Sequence, residues 1–285
     1  MNTKLHIEWL SQWHERVGAA GSIDGVRELH DGLWSTWLDC GAVSASGINK
    51  DLRLDGDDMM QPDMPHLFAG RPEDATIMFV NINPGWDKAA NAVEDQIVRQ
   101  SEASAWNFSR DLFTQYPKHV GPMKWWSQAI GLAWRIMHGS SPDDVSAEAK
   151  QSWALSYVAG WELFPLHSKR AGFLKQLGRG RTGQLVNKCM RAALELALGF
   201  PVPVVVVASD IGATMTNMIA VQARWPVVAH GRSLPEETRV YRVDDRLIVS
   251  LPRQIVSSYE SLAFEPVARE IRRLGFRGGL GVTAG

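Results

Sequence analysis

The apolar run Ile77-Met78-Phe79-Val80 ends in two amides and a forced turn, Asn81-Ile82-Asn83-Pro84-Gly85-Trp86. Four apolar residues in a row read as a strand buried on both faces. Pro84 pushes Asn83 into extended geometry, and Gly85 supplies the permissive backbone that follows. Asn83 is thereby held at the carboxyl end of a strand, where open α/β sheets bind their ligands. An uncharged amide fixed there suits the positioning of a water or a base edge better than covalent attack. The alternative is an ordinary Asn-Pro-Gly turn.

The second chemical feature is charge. Between residues 167 and 191 the chain carries Lys169, Arg170, Lys175, Arg179, Arg181, Lys188 and Arg191 with no Asp or Glu. Such a run can neutralise phosphates. On charge alone it is equally a solvated face around the turn Gly178-Arg179-Gly180-Arg181. The opposite charge gathers in Asp51, Asp55, Asp57, Asp58 and Asp63. That stretch reads as a solvent-exposed connection and a poor place for DNA.

The elements that must position these groups follow from periodicity. Residues 4–17 and 23–38 read as two amphipathic helices, and a polar linker from about 46 to 74 leads into the first strand. The pattern is helical from Gly85 to about residue 100 and irregular around Tyr116-Pro117-Lys118-His119. It is strongly helical again from Met123 to His138. Ser146 or a neighbour caps a further helix. Gln184–Leu198 is another, closed by Gly199, and Pro201 and Pro203 then lead into Val204-Val205-Val206-Val207, the clearest strand in the chain. Residues 258–274 form the last helix. Strands alternating with helices predict a parallel sheet with helices on both faces. The organisation is a helical segment over 1–45, a linker over 46–74, an α/β domain over 75–277 and a flexible tail over 278–285.

Composition sets the remaining bounds. A chain of 285 residues with 45% hydrophobic content is that of a globular protein with a full core. Twelve tryptophans are many, and most fall at helical spacing (Trp9 and Trp13, Trp34 and Trp37, Trp125, Trp126 and Trp134), as buried helix faces require. Cys40 and Cys189 provide neither a disulfide framework nor metal-ligand spacing. The first residues mix charge with apolar positions and do not read as a signal peptide. No apolar run is long enough to span a membrane. A cytoplasmic protein is expected, with no metal, no cofactor and no obligate protein partner.

Asn81-Ile82-Asn83-Pro84-Gly85 resembles the Gly-Ile-Asn-Pro-Gly or Gly-Met-Asn-Pro-Gly signature of the uracil-DNA glycosylase superfamily, in its mismatch-specific and single-strand-selective branches. Trp161-Glu162-Leu163-Phe164-Pro165-Leu166-His167-Ser168 is similar to that fold's second strand and pocket loop. Pro203 to Ala208, with Ser209-Asp210-Ile211-Gly212-Ala213-Thr214, resembles its third strand and following helix. Arg246 to Leu251, then Pro252-Arg253-Gln254, resembles its fourth strand and minor-groove loop. The likeness runs over roughly residues 75–275, and its first motif is the specific one. It implies a three-layer α/β/α fold with a four-stranded parallel sheet in the order 2-1-3-4, preceded by extra N-terminal helices. The four-cysteine iron–sulfur cluster of some branches has no counterpart here.

The resemblance also implies roles. Asn83 would position the water that attacks the sugar, and the nucleotide must be flipped out of the stack for the bond to be reached. Asn81 replaces the usual glycine and would add a polar group to the pocket or cap a loop. Pro84, Gly85 and Trp86 would form its wall, with stacking on Trp86 worth ~1–3 kcal/mol. Glu162 falls near the position that reads the base; there it would accept from an exocyclic amino group and favour a cytosine-like base over uracil. Phe164 would stack a base or simply end a buried strand, and His167 and Ser168 would hydrogen-bond base or phosphate. Lys169, Arg170, Lys175, Arg179 and Arg181 would meet phosphates. Arg253 would meet a phosphate or the departing base, and Gln254 would plug the gap left in the duplex. The fourth motif lacks the family's histidine, and His230 is the alternative source.

The function implied is a DNA glycosylase without lyase activity. It would act on a modified or damaged pyrimidine in DNA, in base-excision repair or in defence against phages with modified bases. Two other readings stand beside it: a non-catalytic nucleic-acid-binding module on the same fold, and an unrelated α/β enzyme using the strand-end pocket for a small ligand.

Overall fold

Short runs of apolar residues with no charge inside them build the centre of the protein. The computed structural model describes residues 5–21, 23–63, 65–82, 105–111, 124–231, 234–235, 237–252 and 261–276. The strands are β1 (Phe68–Gly70), β2 (Ile77–Asn81), β3 (Val158–Glu162), β4 (Val204–Ala208), β5 (Val227–His230), β6 (Arg239–Val243) and β7 (Arg246–Leu251). Every residue of β2 and β4 is buried, as expected of strands covered on both faces.

The strands form one mixed sheet in the order β1-β3-β2-β4-β7-β6-β5. Its four inner strands β3, β2, β4 and β7 are parallel. Numbered among themselves in chain order they run 2-1-3-4. The expected four-stranded sheet is corrected to seven strands. β1 adds antiparallel to β3 at one edge, and the β5–β6 pair continues antiparallel beyond β7 at the other. The β6–β7 hairpin closes through Asp244-Asp245, with Asp244 in the left-handed region (φ 55°) that tight hairpins need.

The helices are α1 (Leu5–Ala19), α2 (Ile23–Leu52), α3 (Ala105–Arg110), α4 (Lys124–His138), α5 (Ala147–Tyr157), α6 (Gly180–Gly199), α7 (Asp210–Ala223) and α8 (Ser261–Arg273). They lie against both faces of the sheet. Phe79, Gly160, Val206 and Val249 are in register on one face, and Trp126 of α4 stands directly over Gly160. Val80, Trp161, Val207 and Ser250 share the other face. There Ser250 Oγ donates to the Ala213 carbonyl of α7 (3.3 Å), and Trp161 packs on Phe200 just after α6. α8 packs on α4.

α2 is longer than predicted and runs into the expected linker. Gly41 and Gly47 weaken the helical pattern, yet Gly47 is where the His6 ring of α1 approaches the α2 backbone, leaving no room for a Cβ. Asn49 then fixes the following segment: its Nδ2 donates to the Met60 carbonyl (2.9 Å), and its Oδ1 accepts from Met60 N (2.7 Å). The core continues into the N-terminal helices through Trp9, Trp13 and Trp37, which pack together. Ser146 caps α5 as read from the sequence, its Oγ accepting from Ala149 N.

Candidate functional site

Asn81 and Glu162 are the last residues of the adjacent parallel strands β2 and β3, and they stand opposite each other in register. Both side chains therefore leave the same face of the sheet, at its carboxyl end. Asn81 Nδ2 donates to Glu162 Oε1 at 3.1 Å. Backbone bonds fix the pair from beyond: Leu163 N donates to Asn81 O (2.9 Å), Phe164 N to Ile82 O (2.8 Å), and Glu162 N to Leu67 O (2.8 Å).

The remaining oxygens of the pair are unmatched. Asn81 Oδ1 and Glu162 Oε2 are both buried and have no hydrogen-bond partner among the described residues. Asn81 is 8% exposed. Glu162 as a residue is half-buried, but its Oε2 is shielded from solvent. Burial pushes the Glu162 carboxyl up to about 8, opposed by the bond from Asn81. At neutral pH Glu162 is thus a carboxylic acid, with one O–H to give.

An aromatic wall stands behind this pair. Gly160 shares a strand face with Glu162, two residues earlier, and the Trp126 indole occupies the space that a Cβ on Gly160 would need. Neither Trp126 nor the Asn81–Glu162 bond was singled out from the sequence. The signal was present for the bond: each residue is the polar group that closes an apolar run, and the expected strand order makes the two runs neighbours.

The other sequence-derived site residues divide sharply. Asn83, Pro84, Gly85 and Trp86, directly after Asn81, lie outside the described residues, as do Arg253 and Gln254 after β7. Phe164 is fully buried between Trp13 and Phe173. The ring packs in the core two residues beyond the end of β3, contacts that favour the core alternative over base stacking. His167 is buried edge-on against His66 at 5.1 Å between ring centres. Ser168 Oγ donates to the Arg170 carbonyl (2.7 Å), closing a local turn. His230 is exposed at the end of outer strand β5, four strands from β2, so it does not fill the place of a histidine beside Asn81.

The basic run starts at the same end of the sheet, because α6 must return to the amino end to feed β4. Lys175, Arg179 and Arg181 are exposed there. Lys169 and Arg170 are partly neutralised by the acidic stretch that the sequence placed in solvent. Asp57 Oδ1 lies 3.4 Å from Lys169 Nζ, Asp57 Oδ2 lies 3.7 Å from Arg170 Nη2, and Arg170 N donates to the Asp57 carbonyl. The three side chains are 46–74% exposed, so these ion pairs are weak and yield readily to a competing phosphate.

α6 is held by a second polar cluster. Thr182 Oγ1 donates to Asp51 Oδ2 (2.6 Å), which also meets His6 Nε2 (2.8 Å). The Thr182 bond, with His6 adding to it, holds the Asp51 carboxyl below its usual range despite partial burial. This joins α1, α2 and the first turn of α6, the turn that carries Arg181.

No known family model matches the chain, and no curated protein is detectably similar to it in sequence. Among the described residues no helix is long and apolar enough to cross a membrane, and no cluster of three or more potential metal ligands occurs.

Proposed function

We propose that this protein is a monofunctional DNA glycosylase of the three-layer, uracil-DNA-glycosylase-like kind. It hydrolyses the N-glycosidic bond of a flipped, modified or damaged pyrimidine and leaves an abasic site, in base-excision repair or in defence against modified phage DNA. The observation that carries this reading is the part-buried Asn81–Glu162 pair at the carboxyl ends of two central parallel strands. Asn83 follows it two residues later. Open α/β sheets bind ligands at that end, and the inner strand order 2-1-3-4 supports the same reading.

In this mechanism Asn83 orients a water beneath the sugar as the C1′–N1 bond breaks. Asn81 and Glu162 grip the base, Lys175, Arg179 and Arg181 hold the backbone, and Arg253 and Gln254 act at the gap in the duplex. The test is base release from a panel of DNAs bearing uracil, mismatched, damaged and phage-type modified pyrimidines. Asn83→Ala is the control, and it should lower release by ~10²–10³-fold. DNA binding without release from any substrate would replace the glycosylase by a non-catalytic DNA-binding module. Neither binding nor release would point to a small-molecule enzyme.

A further inference from the structure

We propose that Glu162 is the general acid of the reaction and that, with Asn81, it selects a base of the cytosine class: its Oε2 hydroxyl donates to ring N3, and Asn81 Oδ1 accepts from the 4-amino group. This rests on the glycosylase reading and adds to it the proton donor and the substrate class. The geometry supplies two unmatched buried oxygens side by side, one on a carboxyl and one on an amide. Glu162 Oε1 is already occupied by Asn81 Nδ2, so the acid proton sits on Oε2 and has no acceptor among the described residues. A base edge with an acceptor next to an N–H donor fills both vacancies at once.

The chemistry explains why an acid is needed. A uracil-type base leaves as a stabilised anion, whereas a 4-aminopyrimidine anion is a much poorer leaving group. As the C1′–N1 bond breaks, its electron pair goes to the base, and the proton on Glu162 Oε2 passes to N3. The base departs neutral and Glu162 is left as carboxylate. Water adds to C1′ and gives up a proton, which returns Glu162 to its acid form. The histidine missing from the fourth motif is thereby replaced by an acid on the second strand.

Burial and the bond from Asn81 are what act on the Glu162 carboxyl, and on the α3 segment, which packs on β1, Arg110 is paired with Glu73 and Asp111 with Arg71. β1 offers Phe68, Ala69 and Gly70, and β2 offers Asn81. Tyr157, at the end of α5, lies beside the opposite end of β3. On α4, Arg135 bonds Ser141 and His138 packs on Trp134 and Trp153, in the last turn and far from Trp126. His66 and His167 on the loop beyond face each other. Burial is the main cause that keeps the proton in place near neutral pH.

The experiment is single-turnover base release from DNAs carrying cytosine, 5-substituted cytosines, uracil and 5-substituted uracils, between pH 6 and 9.5. Wild type, Glu162→Gln and Asn83→Ala are compared. Wild type is expected to release a 4-amino base, with the rate falling about tenfold per pH unit above about 8. Glu162→Gln keeps size and a donor but has no proton to give; its rate should drop ~10²-fold or more and lose the alkaline decline. Preserved folding of that variant is checked by its denaturation curve. A wild-type rate that is flat across pH 8 and unchanged in Glu162→Gln, but abolished in Asn83→Ala, overturns the acid role and leaves the glycosylase standing. Release confined to uracil-class bases overturns the substrate class. No release from any DNA by wild type overturns both this proposal and the reading beneath it.

Discussion

Glu162→Gln should stabilise the protein, by an amount that depends on pH in a defined direction. A glutamic acid that ordinarily titrates at 4.5 is pushed up to about 8 in the fold. One pH unit of displacement corresponds to about 1.4 kcal/mol, so holding the ionised form in place costs about 5 kcal/mol at most. Below pH 4.5 both the folded and the unfolded chain carry the proton, and wild type and variant should match. Between 4.5 and about 8 the unfolded chain has released it and the folded chain has not. The folded state then binds more protons, so wild-type stability falls as pH rises. Above about 8 both states are ionised and the loss is complete. Water reaching the carboxyl would reduce the figure, and a gap of ~2–5 kcal/mol in favour of glutamine is expected at pH 8. Urea denaturation followed by tryptophan fluorescence at pH 5, 6, 7, 8 and 9 measures it. Curves for wild type and variant that stay parallel across this range would refute the claim that the fold retains the Glu162 proton.

Two further perturbations probe the surroundings. Gly160→Ala places a methyl group into the Trp126 ring; it should destabilise the fold by ~1–3 kcal/mol and shift tryptophan emission. An unchanged denaturation midpoint would mean that Trp126 is not held there. Asp57→Asn removes the carboxylate shared by Lys169 and Arg170. DNA affinity should rise, and the dependence of log affinity on log salt should steepen by about 1–2; a slope identical to wild type would take Lys169 and Arg170 out of the phosphate contacts.

What the sequence shows well is what periodicity controls. β2 and β4 are apolar runs, and they form where they were read, while β7 forms where the resemblance placed a strand. β1 was missed because three residues, Phe68-Ala69-Gly70, are too few to show a period; that strand exists because β3 offers an edge. The α2 extension was missed for a different reason. Gly41 and Gly47 lower helix propensity, and only the tertiary structure reveals that Gly47 admits the His6 ring. Phe164 shows the limit for site residues: one aromatic just beyond a strand serves a base or a core equally well, and Trp13 and Phe173 on either side favour the core. Charge proved hardest to place, because the acidic and basic stretches lie more than a hundred residues apart and meet only in the fold.

The Asn81–Glu162 pair is a poor choice for stability alone. Each buried oxygen without a partner costs ~1–3 kcal/mol, whereas two apolar side chains of similar size would leave nothing unmatched. The other two inner strands are closed without that cost: Ala208 and Leu251 end β4 and β7 with buried apolar groups. Among the four inner parallel strands, the polar ends are those of β2 and β3, the two whose following residues carry the Asn-Pro-Gly turn and the loop to the basic run. A ligand that donates to Asn81 Oδ1 and accepts from Glu162 Oε2 would recover the missing bonds on binding. In the proposed reaction, the same proton that makes Glu162 tolerable in an apolar setting would be the one delivered to the leaving base, giving the folding cost and the catalytic capacity a single physical origin.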